Sequence, residues 1–86
     1  MDVKSENLRS ACQAALLTLR KVGNSEYAEI CEKLEFVIGS FDFDKNPVGL
    51  YEFGEKAARI LNELKKKNPK KVSKKVLDDL EISLKT

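Results

Sequence analysis

The sequence has no histidine and no tryptophan. Without histidine it lacks the commonest general base and the commonest metal ligand, and a histidine-phosphotransfer role is excluded outright. Catalysis would have to rest on carboxylates or lysines, and no spacing of these suggests an active site. No enzyme and no cofactor are therefore expected. There are only two cysteines, Cys12 and Cys31, and both fall on apolar helix faces. Free thiols in a cytosolic protein behave there as small hydrophobes, and nothing demands a bond between them. No apolar run approaches the roughly 20 residues a membrane span needs. The start, Met1-Asp2-Val3-Lys4, has no basic residues followed by an apolar block, so no signal peptide is expected.

What is present is an ordinary globular composition with more charge than average, 42% hydrophobic and 35% charged. Eighty-six residues make one domain, 1–86, with a single modest core. The net charge is only +2, but it is unevenly spread. Residues 65–75 hold Lys65, Lys66, Lys67, Lys70, Lys71, Lys74 and Lys75 and no acid. Residues 25–45 hold Glu26, Glu29, Glu32, Glu35, Asp42 and Asp44 against Lys33 and Lys45. Such asymmetry speaks to partners and orientation rather than to fold.

Four apolar stripes at helical spacing run along the chain. From about Asp2 to Val22 the stripe is Leu8, Cys12, Ala15, Leu16, Leu19 and Val22, with Gly23-Asn24 as the stop. A second helix begins at Asn24 or Ser25, with Tyr27, Ile30, Leu34, Val37 and Phe41 on its inner face and Cys31 and Ile38 widening it. The third opens with Asn46 as cap and Pro47 at the first helical position, and continues through Leu50, Phe53, Ala57, Ile60, Leu61 and Leu64. Gly54 lies beside that stripe, where a close helix–helix approach would explain it. Glu52–Lys56 and Glu55–Arg59 are spaced to pair on the outer face. Asn68-Pro69 breaks the third helix. Val72 and Ser73 then introduce a fourth, with Leu77 placed for a hydrophobic staple and Val76, Leu77, Leu80 and Leu84 inward. Ile82 falls off that stripe. Short connections between one-sided helices predict an all-α, antiparallel four-helix bundle.

Ser40–Gly49 is the longest irregular-looking stretch and carries a near-match to a calcium loop. Asp42, Asp44 and Asn46 stand at the first, third and fifth positions. Pro47 sits where glycine should be and Phe53 where the bidentate glutamate should be, so no metal site is expected. The aspartates are expected to form a turn, with Phe41 and Phe43 packed inward.

The lysine cluster has no arginine among its members and no interleaved aromatics, which argues against nucleic acid. It is either a solvated helix end or a docking patch for an acidic or membrane-proximal partner. Lys70, Lys71, Lys74 and Lys75, with Ile82 as an exposed apolar point, are the candidate contact residues.

Three short segments carry a resemblance. Tyr27-Ala28-Glu29-Ile30-Cys31-Glu32-Lys33-Leu34, Asn46-Pro47 followed by Leu50, and Lys71-Val72-Ser73 resemble the openings of helices two, three and four in the immunity proteins of pediocin-like bacteriocins, the enterocin A immunity type. That resemblance implies a cytoplasmic, non-enzymatic protector of the bacteriocin producer. It would act at the inner face of the mannose phosphotransferase permease once bacteriocin has engaged it. The implied partner is that permease–bacteriocin complex, with possible contact to the membrane surface. A generic helical interaction or regulatory module with a lysine-rich docking surface accounts for the same residues.

Overall fold

A computed structural model describes residues 3–23 and 25–85. Asp2 and Asn24, the expected start of the first helix and one expected cap of the second, lie outside the described residues. The helices are α1 (Val3–Val22), α2 (Ala28–Asp44), α3 (Val48–Lys67) and α4 (Lys74–Lys85), with a 3₁₀ turn at Ser25–Tyr27 leading into α2. Among the described residues there is no strand. The protein is an all-α four-helix bundle. α1 and α3 each pack against all three other helices, so they form the short diagonal, with α2 and α4 on opposite flanks. No described helix is long and apolar enough to cross a membrane.

The stripes become the core. Leu8, Cys12, Ala15, Leu16 and Leu19 of α1 are buried against Ile30, Leu34, Val37, Ile38 and Phe41 of α2 and Leu50, Ala57, Leu61 and Leu64 of α3. Leu77 and Leu80 close the fourth side, and Val72 enters from the preceding loop. The ends follow the expected chemistry. Gly23 takes a left-handed conformation (φ 70°) and donates its N–H to the Leu19 carbonyl at 3.3 Å. Pro47 is already helical (φ −85°, ψ 0°), and its carbonyl accepts Tyr51 N–H at 3.1 Å. Asn46 Oδ1 accepts Val48 N–H at 3.1 Å, so Asn46 caps α3 as expected.

The central loop is a correction. α2 runs on through Asp44, leaving only residues 45–47 between it and α3. Lys45 ends the helix in a left-handed conformation (φ 61°) with its N–H on the Phe41 carbonyl at 2.7 Å. Because the backbone is helical there, Phe41 and Phe43 point to nearly opposite sides. Phe41 is buried, whereas Phe43 is 92% exposed and does not pin the segment to the core. The Glu55–Arg59 pair forms at 2.9 Å. Lys56 instead lies over the Phe53 ring, 5.0 Å from its centroid.

Glycines separate into those the packing needs and one it does not. A Cβ on Gly54 would lie 3.2 Å from Cys12 Sγ and 3.3 Å from Leu84 Cδ2, the close approach its position in the stripe implied. A Cβ on Gly49 would lie 2.8 Å from Val37 Cγ1 and 3.1 Å from Val37 Cβ. A β-branched neighbour inside a helix cannot swing clear. A Cβ on Gly39 meets nothing within 4 Å. Gly39→Ala is therefore expected to raise stability by about 0.5–1 kcal/mol, the helix-propensity gain alone. Gly49→Ala makes the same gain but is expected to melt below the wild type. Thermal denaturation of the two variants side by side checks the difference.

Candidate partner-binding surface

The lysine-rich corner is built by two turns of chain anchored to the core through Val72. α3 ends as Asn68 N–H bonds the Leu64 carbonyl at 2.7 Å. The Asn68 carbonyl then accepts Lys71 N–H at 3.0 Å, a turn with Pro69 at the position whose φ proline pre-sets. Val72 is buried and anchors the turn, so Lys70 and Lys71 are held on the outside. The Ser73 carbonyl accepts Leu77 N–H at 3.2 Å and opens α4, which sets Lys74 and Lys75 in its exposed first turn.

The antiparallel order brings the C-terminal end of α1 beside this corner. Thr18, Lys21 and Val22 face Lys70, Lys71 and Val76 across a groove of about 490 Å³. Lys21 is thus a member of the patch that no local reading assigned. Ile82 is exposed (61%) as expected, but it is not gathered with the lysines. It lines a separate groove of about 370 Å³ with Asn7, Ser10, Ala14 and Asp79, further along the same α1–α4 seam.

The corner differs from the rest of the surface in the density of its unpaired cations, since among the described residues Lys33, Lys56 and Lys85 also lack a carboxylate within 4.0 Å but stand singly in the sequence. Elsewhere, Arg9 pairs with Asp42, Arg20 with Glu35, Lys45 with Glu6 and Arg59 with Glu55. Among the described residues, none of the seven lysines from Lys65 to Lys75 has a carboxylate within 4.0 Å. Lys65, Lys66 and Lys67 have a structural reason, since cations favour a helix C-terminus. Lys74 and Lys75 have the opposite: they stand in the first turn of α4, where the helix dipole disfavours them by about 0.3–1 kcal/mol each. A local cost without a structural gain points to a role outside the fold.

The calcium-like residues are otherwise engaged. Arg9 donates from Nε and Nη2 to Asp42 Oδ1 and Oδ2, both at 2.8 Å, a fork that ties α1 to α2. Asp44 Oδ1 accepts Asn46 N–H at 2.9 Å, and Asn46 is occupied as the cap of α3. Among the described residues, no three His, Cys, Asp or Glu side chains cluster as metal ligands. The Arg9 hydrogen bonds hold the Asp42 carboxyl below its ordinary 3.8. A depressed folded-state pKa means the bridge stabilises the fold above that value and is lost as pH falls through the folded-state pKa. Asp42→Asn is expected to melt below the wild type at neutral pH, with the gap closing in strong acid. Melting curves at both ends of that range decide it.

Burial disfavours the thiolate at both cysteines. Cys12 donates weakly to the Leu50 carbonyl at 3.8 Å, and burial pushes its thiol up to about 12. Cys31 is also free, half-buried and raised by burial, with Arg20 opposing.

No family model matches the chain, and no curated protein or solved structure matches it.

Proposed function

We propose that this chain is a bacteriocin immunity protein of the pediocin-like type. It would work in the cytoplasm, without catalysis, by docking its lysine-rich corner at the inner face of the membrane permease that the bacteriocin has engaged. The observation that carries this reading is the uncompensated set Lys21, Lys70, Lys71, Lys74 and Lys75, held on a four-helix bundle. The segments at Tyr27–Leu34, Asn46-Pro47 and Lys71–Ser73 resemble that family's helix openings, and the corner offers a surface suited to an anionic leaflet or an acidic protein face. Expression in a bacteriocin-sensitive lactic-acid bacterium, followed by challenge with a panel of pediocin-like bacteriocins, tests it. Survival against at least one member is expected, and uniform sensitivity overturns the reading.

The same uncompensated charge also fits a helical regulatory module that binds some other acidic protein. That reading predicts no protection, together with capture of a partner that weakens steeply as salt screens the lysines.

A further inference from the structure

We propose that the outer face of α2 is a self-association surface, on which a second copy of this chain packs antiparallel about a two-fold axis between Gly39 and Ser40. The face is separate from the lysine corner, and its role does not depend on the function proposed above.

Three observations converge on it. Phe43 is 92% exposed and Phe36 is 72% exposed, and a spacing of seven puts both on one side of α2. Phenylalanine is among the side chains with most to gain from burial, so two left in water on one helix face mark a contact surface. Gly39 lies between them in the helix interior, where it costs about 1 kcal/mol against alanine. Gly49 and Gly54 have internal neighbours that require them, and Gly39 has none. Its missing side chain is useful only to something approaching from outside.

The spacing selects a copy of the same chain as that occupant. The midpoint of positions 36 and 43 falls between 39 and 40. An antiparallel two-fold pairing there sets Phe36 of each copy opposite Phe43 of the other, with the small residues Gly39 and Ser40 at the crossing. Beside Phe36 is a dimple of about 220 Å³ lined also by Ser40, Gly49 and Phe53, placed to receive the partner's Phe43.

Charge agrees with that register. Lys33 and Asp44 both line the α2–α3 side of the bundle, and the pairing brings Lys33 of each copy alongside Asp44 of the other. Glu35 and Asp42, which would approach their like-charged counterparts, are already bridged to Arg20 and Arg9 within their own chain. An anionic lipid surface fits poorly, because α2 carries Glu29, Glu32, Glu35, Asp42 and Asp44 against Lys33 alone.

A contact over about a tenth of the 5633 Å² surface lies at the low end of the size range, so the dimer is weak. Sedimentation velocity from about 10 μM to about 1 mM covers the affinities such an interface supports. The wild type is expected to pass from monomer to dimer across that window. Phe43→Asp is expected to weaken association at least about tenfold, the loss of a central aromatic anchor, with unchanged helicity in dilute solution and only the small fall in melting temperature that a carboxylate at a helix C-terminus brings. Gly39→Leu separates a specific crossing from general stickiness: added apolar surface would strengthen stickiness, whereas filling the crossing point weakens the two-fold contact. A wild type monomeric at the highest concentration overturns the proposal. So does a Phe43→Asp protein that dimerises as tightly as the wild type, or a Gly39→Leu protein that associates more tightly. Loss of toxin protection in Phe43→Asp with a monomeric wild type would assign the face to a different partner and equally overturn it.

Discussion

Leu61→Ala is expected to lower the unfolding free energy by about 2–5 kcal/mol, a large share of what a small domain holds. Leu61 has no exposed surface, and it lies in α3, which packs on all three other helices. Truncation there opens a cavity in the close-packed core, which the surrounding side chains can fill only in part. A small domain holds only about 5–15 kcal/mol in total, and at this size each kcal/mol moves the melting point by roughly 4–8 °C. A fall of at least about 8 °C should therefore be plain in a circular-dichroism melt. Leu17→Ala is the matched control. Leu17 is an exposed leucine on α1, and its truncation should stay within about 0.5 kcal/mol of the wild type. If the two variants melt together, Leu61 is not at the centre of the core.

The helices were legible because their information is local. A stripe such as Leu50, Ala57, Leu61 and Leu64 reports a buried face whatever lies opposite, and Gly23, Asn46 and Pro47 report ends through their own backbone chemistry. Asp42, Phe43 and Asp44 misled because the competing signals were of different range. Asp and Asn near a proline favour a turn locally, whereas the helix there is extended by Phe41 in the core and by Arg9 reaching Asp42 from 33 residues away. Once that segment is helical, Phe43 must lie away from Phe41, and the aromatic that was expected to fasten the loop becomes surface. The lysine run was legible as composition. Lys21 was not, since only the antiparallel stacking of the two hairpins carries the end of α1 to the start of α4. Ile82 was placed on the surface correctly, but its distance from the lysines depends on the turn of α4 along α1.

Changing Lys70, Lys71, Lys74 and Lys75 together to glutamate is expected to abolish toxin protection, or partner capture on the second reading, while leaving the bundle folded. Loss of function alone would be weak support, because many multiple variants simply unfold. Here the physics runs the other way. Glutamate in the first turn of α4 complements the helix dipole that Lys74 and Lys75 oppose, so Lys74→Glu and Lys75→Glu should each raise stability by a few tenths of a kcal/mol or more. Lys70 and Lys71 sit in a solvent-exposed turn, where reversal costs the fold little. The quadruple variant should thus melt at or above the wild type and yet fail to act. Reversing Lys65, Lys66 and Lys67 gives the complementary result. Those side chains suit the C-terminus of α3, so their replacement by glutamate should cost stability. If the first set protects as well as the wild type and the second does not, the functional surface lies on the end of α3. The corner formed with α1 and α4 would then be only a solvated helix start. If the first set fails while its melting point rises, Lys74 and Lys75 oppose the dipole of α4 for the sake of a partner that the fold itself does not contain.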